Sequence, residues 1–240
     1  MNRTRTKLAL LLIVEFFFFT SSLSSQAMND DEIKKSIFKN FPPTHFYHLA
    51  VTSNIPSIRQ HGLLSTQHLL EIANIPSSEH QAILTSHRQN ELILPNGIII
   101  RDQSPMPPNA LVKVLPDNIT PSDWYYLLNT YVFLWANKER VIRHWNACGS
   151  VPQSLLVFDA PKLLEELGDH IYLSPINSGY ALRAAALRSP ELHVPYQEWI
   201  KTGWPVVMGK QQPRTKLPIE ILVKGSIPLD PYLIAIEDKK

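Results

Sequence analysis

Twenty prolines against eight glycines in 240 residues constrain this chain more than any single motif does. Proline locks φ and donates no main-chain hydrogen bond, so it is excluded from helix and strand interiors. The elements must therefore be short and joined by rigid loops. Scarce glycine also argues against a phosphate site built on a glycine-rich loop. Neither GxGxxG nor GxxxxGK[ST] occurs. With 44% hydrophobic and 18% charged residues, the composition is that of an ordinary globular domain and excludes collagen-like, coiled-coil and wholly disordered chains.

Residues 1–27 read as a secretory leader. Arg3, Arg5 and Lys7 precede an apolar run from Leu8 to Phe19, and a Ser-rich stretch ends at Ala27. The run is far shorter than the roughly 20 residues a spanning helix needs, so a permanent membrane anchor is not expected. Glu15 interrupts it, and the competing reading starts translation at Met28. The first reading implies a secreted or periplasmic protein, the second a cytoplasmic one. Without those 27 residues the chain keeps 20 basic and 20 acidic side chains, which offers no general attraction for a polyanion. A single cysteine, Cys148, permits no intrachain disulfide and reads as a small buried side chain.

No repeat or long linker divides the remainder, so residues 28–240 form one domain. The pattern predicts a helix over Asp30 to Phe41, a strand at Phe46–Ala50, a helix after Asn54 stopped by Gly62, and another over Ser65 to Ala73. Ser77 to Gln89 is expected to be helical, and Leu92–Leu94 pairs with Ile98–Ile100 around Pro95-Asn96-Gly97. Pro105, Pro107 and Pro108 impose an extended loop. A helix opens at Thr120-Pro121-Ser122-Asp123, and Tyr131–Trp135 is an aromatic strand. Lys138 to Trp145 and Pro161 to Leu167 are helices; Leu155–Phe158, Ile171–Leu173, Val206–Met208 and Ile219–Val223 are strands. Helices gather early and strands late, with no βαβ alternation, so the fold class is α+β.

Nine histidines raise the question of a metal. His45 and His48 form an HxxH, but a strand sends them to opposite faces, and no HExxH or paired CxxC exists, so no metal site is expected. No GxSxG supports a serine hydrolase, because Ser178-Gly179 lacks the first glycine. Glu220 stands out: it interrupts the apolar segment Leu217 to Val223. Such a segment is expected to be buried on both faces, so its carboxylate is desolvated, paired or turned to a cleft. An edge-strand carboxylate in solvent is the plainer alternative.

Phe46-Tyr47-His48-Leu49, then Asn54-Ile55-Pro56-Ser57-Ile58 and His61-Gly62-Leu63-Leu64-Ser65, resembles the opening of the DNA-targeting ADP-ribosyltransferase toxins. Arg101 with Ser104-Pro105-Met106 is similar to that family's arginine-serine-proline-methionine turn, with Asp102 and Gln103 inserted. Ile219-Glu220-Ile221-Leu222-Val223 and Ile227-Pro228-Leu229 are similar to its late strand, where the glutamate is catalytic. The whole pattern, with Phe133-Leu134-Trp135 and Leu173-Ser174-Pro175-Ile176-Asn177, resembles still more a bacterial domain family of unknown function related to those toxins.

The resemblance implies an ADP-ribosyltransferase-like split β-sandwich with N-terminal helices, in which two small sheets enclose a cleft for NAD. It implies Glu220, His48 and Arg88 as catalytic residues. His48 would orient a ribose or the nicotinamide, and Glu220 would stabilise the positive charge that develops as the nicotinamide bond breaks. Arg88 or Arg101 would meet phosphate charge, and Tyr47, Tyr131, Phe133, Ser174 and Asn177 would line the cofactor. One aromatic of Tyr131, Phe133 or Trp135 would pack on the nicotinamide, although core packing explains that strand better.

The implied partners are NAD and an acceptor macromolecule, nucleic acid or protein, or water if the reaction is hydrolysis. Single-stranded DNA is an implied acceptor that the neutral charge does not favour, and the toxin likeness adds an antidote protein. The alternative is a catalytically inactive nucleotide- or protein-binding module on the same fold.

Overall fold

The computed structural model describes residues 41–147, 151–182, 186–207, 209–213 and 216–238. The expected leader, the helix opening at Asp30 and Cys148 lie outside the described residues. Among those described, no helix is long and apolar enough to cross a membrane.

The first half runs β1 (His45–Val51), α1 (Ile55–His61), β2 (Leu63–Leu64), α2 (Thr66–Ile72), α3 (Ser77–Thr85), β3 (Leu92–Ile93), β4 (Ile99–Ile100), α4 (Pro108–Leu111) and α5 (Pro121–Asn129). The second half runs β5 (Tyr131–Trp135), α6 (Lys138–Ala147), β6 (Gln153–Asp159), α7 (Ala160–Leu167), β7 (Ile171–Ser174), β8 (Val194–Pro195) and α8 (Tyr196–Thr202). It finishes with β9 (Val206–Val207), β10 (Lys210–Gln211), β11 (Glu220–Lys224), β12 (Ser226–Ile227) and β13 (Leu233–Asp238). Seven strands make one sheet in the order β13-β6-β1-β5-β11-β7-β8, antiparallel throughout. The short pairs β10-β9, β12-β2 and β3-β4 stand outside it. The architecture is thus a mixed one of helices on a large antiparallel sheet.

Both faces of that sheet are covered, which explains its apolar strands. On one face Phe46, Leu134, Leu156, Phe158, Leu173, Ile221 and Val223 join Leu163 and Leu164 of α7 and Trp199 of α8. On the other, Tyr47, Leu155 and Val157 meet Val141 and Trp145 of α6. Leu155, Leu156 and Phe158 have no exposed area, and each such side chain contributes about 1.5–3 kcal/mol by burial.

Local signals act as the sequence requires. Thr120 and Asp123 form a reciprocal capping box, with Thr120 N–H donating to Asp123 at 2.9 Å and Asp123 N–H to Thr120 Oγ1 at 3.2 Å. Gly62 ends α1 at φ +80°, and a Cβ there would lie 2.5 Å from the main-chain oxygen of Ile227. Only glycine meets both demands. The extended loop expected around Pro105 to Pro108 is instead folded: Met106 is buried, and Pro107 and Pro108 open α4. Proline suits a first helical turn as well as an extended loop, because the missing N–H has no partner there in any case. Helix α8 and the edge strand β13 carry no expectation from the sequence.

Candidate active site

The shortest pairing in the sheet is the one at its middle, between β1 and β5. Strand β1 pairs with β6 through seven register positions, yet with β5 through one, Tyr47↔Trp135. The next residue, His48, explains the stop. Its ring Nδ1 lies 2.8 Å from the main-chain oxygen of Phe133, so a side chain takes the place of a ladder bond and separates the strands. Beyond it a cavity of about 310 Å³ opens, walled by residues 48–51 of β1 and 131–133 of β5. Arg88, Arg101, Asp102, Asn129 and Glu220 are among its polar lining, with Ile99 and Ile100 of β4 and Ile58 of α1 on the apolar side.

A carbonyl only accepts, so His48 carries its proton on Nδ1 and presents Nε2 as an acceptor. Burial lowers its pKa, against the opposing pull of the Phe133 bond, and the ring is neutral at neutral pH.

Glu220 begins β11, in register between Trp135 of β5 and Ser174 of β7. It is 4% exposed. Burial pushes its pKa up to about 7, and the hydrogen bonds from Ser178 and the charges of Arg188 and His144 oppose that rise. One bond is a main-chain one: Ser178 N–H donates to Glu220 Oε2 at 2.8 Å. The turn after β7 makes this possible. Ser174 Oγ donates to Ile176 O at 3.0 Å and folds Pro175 to Ser178 back under the carboxylate. Ser178 Oγ in turn lies 3.0 Å from Nε2 of His193. His193 is packed against Tyr131 and Trp124, and burial lowers its pKa to about 3, so it remains neutral.

Both arginines line the cavity. Arg88 Nε donates to Arg101 O at 3.3 Å and Nη2 to Asn129 Oδ1 at 3.0 Å; its Nη1 is buried without a partner among the described residues. Burial lowers the Arg88 pKa to about 10, with the Asp102 charge opposing, so it stays cationic. Arg101 pairs with Glu91 at 3.3 Å and with Asp102 at 3.6 Å, and its Nη1 is likewise buried with no hydrogen-bond partner among the described residues. Asn129 is held by its own bond to Leu84 O at 2.8 Å, so the Arg88 head is fixed on both sides.

The fold therefore gathers His48, Glu220, Arg88, Arg101, Tyr131 and Phe133 around one cavity. Three others expected on the cofactor do not line that cavity. Tyr47 precedes His48 by one residue, so the strand period sends it to the opposite face, against Val141 and Trp145. Ser174 is spent within its own turn. Asn177 lines a different, smaller cavity. Ser178, His193, Arg188 and Asn129 are the residues that sequence reasoning missed. The Asn177-Ser178-Gly179 turn was a usable signal for Ser178; the other three had none, because only the fold carries them to Glu220 and Arg88. Among the described residues no group of three or more His, Cys, Asp or Glu is placed to hold a metal ion.

No curated protein matches the chain. A family model does, over residues 44–230, which includes β1, the whole cavity and β11. The chain belongs to that family, described as a family of unknown function (DUF7002).

Proposed function

We propose that the protein is an NAD-consuming ADP-ribosyltransferase, cleaving the bond between nicotinamide and ribose and passing ADP-ribose to an acceptor, on a fold related to that of the DNA-targeting toxins. The observation that carries this reading is the conjunction of Glu220 and His48 in one cavity that opens where a sheet splits. A cleft between two half-sheets, free of any glycine-rich loop, is what the resemblance implies for NAD. The guanidinium groups of Arg88 and Arg101, both on the cavity lining, suit the diphosphate of the same ligand.

The chemistry follows from the groups. The glycosidic electron pair leaves with nicotinamide, which departs neutral, and positive charge grows on the ribose. A carboxylate in a water-poor site stabilises that charge far better than one in solvent. Glu220 also accepts a hydrogen bond from a ribose hydroxyl. The acceptor's oxygen or nitrogen then bonds to the ribose carbon, and its proton passes to Glu220 or to water. Neutral His48, held through Nδ1, offers Nε2 to a hydroxyl or amide N–H and fixes the sugar's orientation.

Nicotinamide release from NAD by the full chain tests the reading. Release is expected, and the Glu220→Gln variant is expected to lose at least a hundredfold of it while remaining folded. Equal release by the variant, or none from folded wild type in the presence of nucleic acid and cell lysate, would sink the assignment and leave a binding module.

A further inference from the structure

Ser178 and His193 are both buried, and neither lines the Glu220 cavity. Ser178 N–H donates to Glu220 Oε2 at 2.8 Å, while its Oγ lies 3.0 Å from His193 Nε2 and 3.4 Å from Ser174 Oγ. Serine, histidine and carboxylate thus meet, but not in the order of a hydrolase triad. In a triad the acid holds histidine Nδ1, and the histidine takes the serine proton. Here the carboxylate stands on the serine side, and His193 Nδ1 is buried with no hydrogen-bond partner among the described residues.

The positions of the protons follow from the partners. Neutral His193 carries one ring proton. On Nδ1 it would be a buried donor without an acceptor, a rarer fault than an acceptor without a donor; on Nε2 it has Ser178 Oγ at 3.0 Å. Nε2 then donates, so Ser178 Oγ must turn its own proton elsewhere. Ser174 Oγ gives its proton to Ile176 O at 3.0 Å, already accepts from Ile176 N–H at 3.3 Å, and is the more distant neighbour. Glu220 remains. Hydrogen bonding from the Ser178 side chain, as well as from its main chain, opposes the rise that burial imposes on the Glu220 pKa.

We propose that His193 and Ser178 are positioning residues for Glu220: His193 Nε2–H donates to Ser178 Oγ, and the hydroxyl so oriented donates to the carboxylate beside the Ser178 N–H. Two donors from one residue fix the carboxylate's orientation and favour its ionised form. The imidazole is itself held, with ring centroids 5.4 Å from Trp124 and 5.5 Å from Tyr131. With a pKa of about 3, His193 takes no proton from the serine, so the pair is a brace and not a proton path. Arg188 and His144 also bear on Glu220 through their charges, and His48, Arg88, Arg101, Asp102 and Tyr131 share its cavity. The brace stands whatever the guest; its bearing on catalysis rests on the NAD reading above.

NMR titration of the Glu220 carboxyl carbon in the full chain, assigned by its loss in Glu220→Gln, tests the proposal together with the ring nitrogen shifts of His193. The wild-type ring is expected to carry its proton on Nε2 at neutral pH. Ser178→Ala keeps the main-chain donor and is expected to raise the Glu220 midpoint by about one pH unit, as loss of one hydrogen bond to a charged group does. His193→Phe keeps an aromatic ring without the donor and is expected to move the midpoint the same way. His193→Gln, whose amide N–H stands in for Nε2–H, is expected to restore it. A merely structural role would lower the melting temperature of these variants and leave the midpoint in place. A ring proton on Nδ1, or an unmoved midpoint in folded Ser178→Ala, would overturn the proposal. The pH of half-maximal nicotinamide release is expected to rise with the midpoint. A midpoint that shifts in a protein without any release would remove the NAD reading and leave the brace standing.

Discussion

His48 Nδ1 donates to the main-chain oxygen of Phe133 at 2.8 Å, so the ring of one strand closes the ladder of its neighbour and opens the cavity beside it. The bond fixes the tautomer and the ring plane together. His48→Ala removes the donor and leaves a carbonyl without its partner at the split. Unfolding free energy is expected to fall by about 1–3 kcal/mol in chemical denaturation. Nicotinamide release is expected to fall with it.

Glu220 predicts an unusual trade between activity and stability. Its folded pKa is about 7 against an ordinary 4.5, so the folded state holds the extra proton between those values. Ionisation therefore costs stability as pH rises from 4.5 to 7, by up to about 3 kcal/mol. Glu220→Gln keeps an acceptor for the Ser178 N–H and carries no charge. The variant is expected to be more stable than wild type at pH 8 and indistinguishable from it near pH 4, as read by denaturation at both values.

The same titration sets the pH dependence of the proposed reaction. Only ionised Glu220 stabilises positive charge on ribose, so release under subsaturating NAD is expected to rise through about pH 7 and level off above it. A profile flat from pH 5 to 9 would remove the carboxylate from the rate-determining step.

The two arginines separate into anchored and available. Arg88 is tied to Asn129 and to Arg101 O, whereas Arg101 rests on ion pairs that are partly in solvent. Exposed pairs contribute about 0–1 kcal/mol, so Arg101→Gln is expected to leave the melting temperature nearly unchanged while raising the KM for NAD at least tenfold. Arg88→Gln is expected to lower both stability and activity.

Gly62→Ala tests the turn that joins α1 to β2. The alanine would need φ near +80° and would press its methyl on Ile227 O, so a loss of more than about 1 kcal/mol is expected in denaturation. Unchanged stability would mean that β12 shifts freely away from β2.

The strands that hold the site were legible because each is a short apolar run ended by a proline, glycine or cap. Phe46–Ala50, Tyr131–Trp135 and Ile219–Val223 proved to be β1, β5 and β11, within two residues at their ends. Glu220 stood out for a physical reason, a carboxylate in a segment with no solvent face, and its 4% exposure matches. Tyr47 shows the limit of motif reasoning, since adjacency to His48 in sequence means opposition across a strand. Arg188 and His193 were illegible because nothing local marks them. Long-range return of the chain after β7 brings both towards Glu220, and pattern periodicity does not encode that. The prolines of residues 105–108 were ambiguous in principle, being equally at home in a loop and at a helix start.

The single register pair between β1 and β5 leaves the facing edges of both strands without a ladder partner beyond Tyr47 and Trp135. Any guest of the cavity would therefore meet main chain as well as side chains, and point substitution does not erase main chain. Exchanging a wall side chain would change what the cavity prefers and leave that main-chain edge in place, so a new preference would need no rebuilding of the scaffold.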